Sequence, residues 1–269
     1  FPIKQYDLVI SDVEPVSAWA ALLNGVPCIE MSHQAAVIHP LAPKPKEHGA
    51  FGSYVLKHYT PARQKYGFHF KAYDERVFTP VIRKEMRQAK VADQGHYTVY
   101  LPGYHDDVLM HFLRQFDVKW EVFSKHANYA YRVDNVFIEP ISQVRFQQSL
   151  ISASGVLCGA GFELPSEALF LGKKTLVIPM KGHYEQACNA LGAVEVGAVS
   201  IPELDLLHHR KINYFLSTHA QEPVLFADQT EQLLVDVLSK FEREGSAAYR
   251  STAEFETFKQ KLGLLRYFF

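Results

Sequence analysis

The chain has 269 residues, of which 48% are hydrophobic and 21% charged, with a formal net charge of -1. This composition supplies a large core and excludes an intrinsically disordered chain. The balanced charge argues against a nucleic-acid partner, because displacing counterions from phosphates needs an excess of Lys and Arg.

Three cysteines leave an odd thiol under any pairing, as is typical of a reducing compartment. The apolar runs are too short to span a bilayer, and the chain opens without the pattern of a signal peptide. We therefore expect a cytoplasmic protein.

The first elements predict one βαβ unit. A buried parallel strand is expected over 7–12, a helix over 16–23 ended by Asn24-Gly25, and a second strand over 27–31 that leads to Ser32-His33-Gln34. Because the first strand begins so early, we expect the first strands of this domain to lie upstream of the sequence. From His39 to Phe70 the prolines predict irregular structure, and Asp93-Gln94-Gly95 predicts a hinge.

From residue 97 onward, strands alternate regularly with helices. We predict strands over 97–101, 119–123, 136–139, 156–158 and 175–179, and helices over 106–116, 143–152, 163–171 and 184–191. This alternation predicts an α/β fold with a doubly wound parallel sheet. Ligands of such sheets bind outside the carboxyl ends of the strands, so the loops that follow the strands are the candidate sites.

One of these loops, Gly159-Ala160-Gly161, joins a predicted strand to a predicted helix. The turn with the helix N-terminus is suited to hold a phosphate, but a tight turn with a capped helix explains the glycines equally well. The dinucleotide fingerprint fails, because Leu164 replaces its third glycine. Glu167 either interacts with the helix dipole or accepts hydrogen bonds from two ribose hydroxyls. A second polar cluster opens the next helix and predicts a polar crevice beside the turn; it contains His183, Glu185, Gln186 and Asn189.

Two motifs carry a resemblance to a known family. They are Ser166-Glu167-Ala168-Leu169 with Leu171-Gly172-Lys173 and Leu176-Val177-Ile178-Pro179, and Gly182-His183-x-Glu185-Gln186-x-x-Asn189-Ala190. They resemble the donor half of GT-B glycosyltransferases, in particular bacterial UDP-sugar transferases that include lipid II-forming N-acetylglucosaminyltransferases and UDP-glucuronosyltransferase-like proteins. A weaker resemblance reaches back to residues 7–15.

The resemblance implies two facing Rossmann-like domains, the N-terminal one incomplete. Residues 1–92 would form part of an acceptor-binding domain, 93–96 a hinge, 97–250 the nucleotide-sugar domain, and 251–269 a helix that crosses back to the first domain.

The resemblance also implies roles for single residues. Gly161 and Phe162 would offer backbone N–H groups to the diphosphate, Glu167 would hold the ribose, and Ile141 would lie near the base. The remaining donor-binding candidates are Ser166, His183, Glu185, Gln186 and Asn189, of which Glu185 and Gln186 would touch the sugar. Asp12 would orient a histidine base that lies upstream of the sequence, and His33 is the nearby candidate within it.

The implied reaction transfers a sugar from a UDP-sugar to an acceptor hydroxyl with inversion, without a metal or a cofactor. The acceptor stays unidentified, either a small molecule or a lipid-linked precursor of a cell-envelope glycoconjugate. Two alternatives stay open: a UDP-sugar hydrolase or 2-epimerase on the same fold, and a non-catalytic nucleotide-sugar-binding protein.

Two further features have competing interpretations. His105, Asp106, Asp107 and His111 could suggest a metal site, but acidic residues at a helix start are better explained by the helix dipole. The basic, aromatic stretch 44–71 is either a solvated loop or a surface for peripheral contact with an anionic membrane at its inner face.

Overall fold

The computed structural model describes residues 2–46, 50–219 and 221–249, which form two compact units. The described parts of the first unit are 2–42, 50–79 and 227–249, and those of the second are 43–46, 80–219 and 221–226. The predicted C-terminal helix over 251–269 lies outside the described residues. The acceptor and donor domain ranges given above are functional assignments and stay predictions.

The strands and helices are numbered in chain order. The strands are β1 Val9–Ser11, β2 Cys28–Ser32, β3 Gln64–Phe68, β4 Val77–Phe78, β5 His96–Tyr100, β6 Lys119–Ser124, β7 Tyr131–Val133, β8 Val136–Pro140, β9 Gly155–Gly159, β10 Lys174–Ile178 and β11 Val199–Ser200. The helices are α1 Pro15–Asn24, α2 His33–Val37, α3 Ala50–Tyr59, α4 Lys84–Arg87, α5 Asp106–Leu113, α6 Gln143–Ser152, α7 Glu163–Phe170, α8 Tyr184–Glu195, α9 His209–Ser217 and α10 Thr230–Glu244.

The first unit contains a parallel sheet with the strand order β1-β2-β3-β4. The predicted βαβ unit is confirmed as β1, α1 and β2. Glu14 caps α1 by accepting hydrogen bonds from the N–H groups of Val16 and Ser17 at 2.8 and 2.6 Å. Gly25 ends α1 with a φ of 70°, a left-handed conformation that glycine adopts without steric cost. The N-cap and the C-cap explain why this helix has its predicted length.

The prediction of irregular structure from His39 to Phe70 is wrong, because α3 and β3 lie within this range. The prolines that suggested it occupy only positions 40–45, and the next proline is Pro61. Gly67 lets α2 pack directly on β3, since a Cβ built at Gly67 would lie 2.5 Å from the backbone nitrogen of Ala36. The pairing of β3 with β2 is therefore a tertiary effect that the local sequence does not show.

The core of the first unit joins distant parts of the chain. Ile29, Met31 and Tyr66 on β2 and β3 pack against Leu233 and Val237 on α10 and against Tyr249. The segment 227–249 thus completes a core that the first eighty residues begin.

The second unit contains a seven-stranded sheet with the order β11-β10-β9-β5-β6-β8-β7. The strands are parallel except for the edge strand β7, which pairs antiparallel with β8. The predicted doubly wound parallel sheet is confirmed, and β7 is an addition that the sequence did not predict. The chain runs from β5 outward to β8 on one side, then returns to β9 on the other. The order of the strands therefore reverses between β5 and β9.

Candidate functional site

The reversal of strand order between β5 and β9 marks a topological switch point at the carboxyl edge of the second sheet. β5 and β9 are neighbours with Tyr100 opposite Cys158, so the loops that follow them leave the sheet side by side. Where the connections from two neighbouring parallel strands run in opposite directions, the space between these connections is where α/β folds bind ligands. The glycine turn predicted from the sequence lies at this place.

Buried polar side chains hold the glycine turn in shape. The Ser166 hydroxyl donates to the carbonyl of Phe162 at 2.7 Å, and the Asn189 amide donates to the carbonyl of Ala160 at 3.2 Å. Both side chains are buried, and the Ala160 N–H donates to the carbonyl of Ile178 at 3.0 Å. The geometry gives Ser166 and Asn189 a positioning role, and their direct contact with a donor stays a prediction.

Gly161 is a glycine that the fold itself does not require. A Cβ built there would meet no heavy atom within 4 Å, and its φ lies outside the left-handed region. Phe162, at the N-cap of α7, makes no side-chain capping hydrogen bond. Because the first N–H groups of a helix lack partners within the helix, an anion above Gly161 would meet the positive end of the α7 dipole.

Glu167 lies one turn into α7 and forms an ion pair that the sequence did not predict. Both of its carboxylate oxygens accept hydrogen bonds from Arg83: Nε donates to Oε1 at 2.6 Å, and an Nη donates to Oε2 at 2.8 Å. Glu167 is buried, whereas the Arg83 side chain is 45% exposed. This hydrogen bond raises the pKa of Arg83, which therefore stays charged. The two residues are 84 positions apart, and no local sequence signal links them.

The second predicted cluster lies beside the glycine turn, because Ile178 of β10 is paired with Gly159 of β9. His183 is the N-cap of α8, and its Nδ1 accepts from the N–H of Gln186 at 3.3 Å. The Gln186 side chain accepts from the N–H of Met180 at 2.9 Å. Glu185 is half-buried in the first turn of α8. The structure thus brings this cluster and the turn to the same sheet edge.

Ile141 follows β8 at the same carboxyl edge and is 48% exposed. β8 is three strands from β9, so Ile141 and the glycine turn are separated by about 14 Å along the edge at the usual strand spacing. The loops after β5 and β6 lie between them. Here the rings of His105 and His126 stack with their centroids 4.7 Å apart, a contact that the sequence reasoning missed.

The acidic start of α5 binds neighbouring side chains. Asp106 accepts hydrogen bonds from the Ser124 hydroxyl at 2.5 Å and from the Tyr131 hydroxyl at 3.3 Å. Among the described residues, no group of three or more His, Cys, Asp or Glu side chains could hold a metal ion. Asp106 and Asp107 lie in the first turn of α5, where the sequence placed a helix start, and His111 lies in its last turn.

In the first unit, Asp12 and His33 follow the neighbouring strands β1 and β2. Burial raises the pKa of Asp12, and the nearby charge of His33 lowers it in part. His33 Nδ1 lies 2.8 Å from the carbonyl oxygen of Phe68. Because a carbonyl only accepts, Nδ1 carries the hydrogen, and in the neutral ring Nε2 is the basic nitrogen. His69 lies beside His33, with ring centroids 5.6 Å apart, and burial lowers its pKa to about 3.

The basic stretch 44–71 contains a cation that is already paired within the protein. Lys65 pairs with the buried Glu30 and donates to the carbonyl of Thr60 at 3.0 Å, so its charge is already engaged. Phe51 and Tyr54 on α3 are exposed. In the part of the chain that the structure describes, no helix has the length and hydropathy to cross a membrane. Membrane contact through 44–71 stays a prediction.

Comparison with solved structures identifies the fold. MurG from Acinetobacter baumannii is 19% identical over 88% of this chain and 74% of its own, with a TM-score of 0.51. A UGT transferase from Siraitia grosvenorii, solved in complex with UDP, is 10% identical over 96% of this chain and 82% of its own, also with a TM-score of 0.51. The fold is therefore GT-B, as the resemblance predicted.

The sequence itself identifies the family. The profile of glycosyl transferase family 1 matches residues 3–219, more than half of the chain, and the chain belongs to this family. No curated protein matches the sequence at a significant level. The protein is thus a glycosyltransferase.

Proposed function

We propose that this glycosyltransferase moves a sugar from a UDP-sugar to an acceptor hydroxyl with inversion, and that it does so without a metal ion. The observation that carries the proposal is the glycine turn at the strand reversal. Gly161 leaves room above an α7 N-terminus without a side-chain cap, and the buried carboxylate of Glu167 lies one turn further on. A nucleoside diphosphate offers an anion to the first feature and a ribose diol to the second.

In the proposed reaction, the main chemical role of the second unit is to stabilise the leaving group. Negative charge develops on the departing diphosphate, and the α7 N-terminus, fixed before the reaction, stabilises it without reorganisation. Gln186 and Glu185 would contact the sugar, and Ile141 would lie along the base. UDP is the first nucleotide to test because the Siraitia grosvenorii relative was solved with it. UDP-sugar is a substrate in this scheme, and no cofactor is assigned.

We propose His33 as the general base within this chain, with Asp12 as its electrostatic partner. The hydrogen bond to the Phe68 carbonyl favours the tautomer in which Nε2 accepts a proton from the acceptor hydroxyl. His33→Gln should lower the transfer rate by about 100-fold while UDP affinity stays within about threefold of wild type. His58→Gln, on the exposed face of α3, is the matched control. A His33→Gln enzyme with wild-type turnover would show that His33 is not the base.

The donor assignment can be tested by isothermal titration of UDP, TDP, GDP and ADP. UDP should bind most tightly, and Glu167→Gln should weaken it by tenfold or more, because the amide offers one accepting oxygen where the carboxylate offers two. Asp117→Asn is the matched control, since this exposed carboxylate precedes β6 at the opposite edge of the same sheet. Equal affinity of both variants and wild type for UDP would remove Glu167 from the site.

The reaction can be tested by measuring UDP release from UDP-sugars with a panel of acceptors. Transfer predicts release that depends on the acceptor and an inverted anomeric centre in the product, unchanged by EDTA. Release without an acceptor indicates a hydrolase, a 2-epimeric sugar indicates an epimerase, and binding without release indicates a nucleotide-sugar-binding protein.

A further inference from the structure

The Arg83–Glu167 pair conflicts with the role that the proposed function gives to Glu167. Both oxygens of this carboxylate are already occupied by one guanidinium, in the two parallel hydrogen bonds of a fork. Both residues belong to the second unit, and Glu167 is buried. The inference below rests on the proposed function, because it concerns what happens to this pair when the ribose arrives.

A guanidinium fork and a ribose diol compete for the same edge of the carboxylate. The guanidinium donates to the syn lone pair of each oxygen, and these two lone pairs face the same outer edge of the carboxylate. The remaining anti lone pairs lie in the same plane but point away from each other. Two vicinal hydroxyls donate from one side, so they also need the outward edge to reach both oxygens. Glu167 therefore cannot accept from the whole diol while it holds the whole fork.

The charges near Arg83 indicate where its guanidinium would go. Glu163 and Glu167 are one turn apart at the start of α7, and their charges act on Arg83 together with that of Glu85. A diphosphate above Gly161 would lie beside these two carboxylates, and a cation is needed to offset the repulsion. The Arg83 side chain is half-exposed and therefore has room to turn.

We propose that Arg83 exchanges partners when the donor binds. The ribose diol replaces the guanidinium on Glu167, and the guanidinium turns to the diphosphate. In the empty site Arg83 satisfies a buried carboxylate, and in the occupied site it is a donor-binding residue. The phosphates give the guanidinium a new partner in place of the carboxylate that the ribose takes. A nucleoside without phosphates offers no such partner, and its affinity is therefore lower than that of the diphosphate.

This exchange predicts opposite effects on two ligands. Arg83→Met should bind uridine about three- to tenfold more tightly, because no fork has to be displaced, and UDP at least tenfold more weakly, because the phosphates lose their cation. Lys84→Met is the matched control, since it removes one exposed cation from the next position and should change neither affinity by more than about twofold. Arg83→Lys keeps the charge but not the fork, and should tighten uridine binding while UDP stays within about threefold of wild type.

The titrations are made at pH 7.5 and 8.5, and each variant is checked by thermal unfolding. If both Arg83 variants weaken uridine and UDP by the same factor, or change neither, the exchange is wrong and Arg83 is a structural partner of Glu167. The donor assignment survives that result as long as wild type binds UDP and Glu167→Gln does not. If wild type binds neither ligand, both proposals fail.

Discussion

Replacing Gly161 by alanine separates a phosphate-binding turn from a turn that needs glycine only for its shape. The added Cβ has no heavy atom within 4 Å, and φ at this position lies outside the left-handed region, so the fold tolerates a methyl group. Losing glycine also lowers the entropy of the unfolded chain, which stabilises compatible sites by about 0.4–1 kcal/mol. We therefore expect a free energy of unfolding equal to wild type or slightly higher.

Binding should respond in the opposite direction. A phosphate oxygen bonded to the N–H groups of the turn approaches to about 2.9 Å, which leaves no space for a methyl group above Cα. We expect UDP affinity to fall by tenfold or more, equivalent to about 1.4 kcal/mol. Urea unfolding measures the first quantity, and isothermal titration with UDP measures the second.

Gly155→Ala, at the other end of β9, is the contrasting variant. Its Cβ would lie 2.8 Å from the ring of Tyr97 and 2.9 Å from the carbonyl oxygen of Lys174, so it should destabilise the second unit by about 1–3 kcal/mol. The reasoning is refuted if Gly161→Ala is destabilised as much as Gly155→Ala, or if it binds UDP as tightly as wild type does. Either result would mean that the glycine at position 161 does not serve phosphate binding.

Two further predictions concern stability. Gly67→Ala should lower the free energy of unfolding by about 1–3 kcal/mol and with it the urea midpoint. The reason is that its Cβ would lie 2.6 Å from both Cα and Cβ of Ala36. An unchanged midpoint would contradict the direct packing of α2 on β3. Burial lowers the pKa of Lys173 from 10.5 to about 8, so the folded state releases this proton first. The stability of wild type relative to Lys173→Met should therefore rise between about pH 8 and 10.5, by at most ~3 kcal/mol, and a difference that is flat across this range would contradict the shift.

The sequence predicted those parts of the fold whose signals are local. Apolar runs between Gly and Pro residues located the main strands of the second sheet, and the alternation with helices predicted their parallel pairing. The same reasoning failed between residues 39 and 70, where three prolines dominated the pattern. Whether Gln64–Phe68 becomes a strand depends on β2 and on α2 packing over Gly67, and neither contact is visible in a window of ten residues.

The candidate site was predictable to a similar extent. The glycine turn and the cluster at His183 follow strands directly, so a topological rule was enough to bring them to one edge. The Arg83–Glu167 pair joins residues 84 positions apart, and the stacked rings of His105 and His126 come from two different loops. Contacts of this kind are specified by the three-dimensional arrangement, and a single sequence contains no pattern that reports them.

The split composition of the first unit has a consequence for biosynthesis. A ribosome makes residues 80–226, which belong to the second unit, before it makes α10 and Tyr249, whose side chains complete the core of the first. During that interval Ile29, Met31 and Tyr66 on β2 and β3 lack the apolar partners that α10 and Tyr249 supply. The core of the first unit can therefore be completed only after the second unit has been made, and until then its sheet exposes apolar surface that favours aggregation.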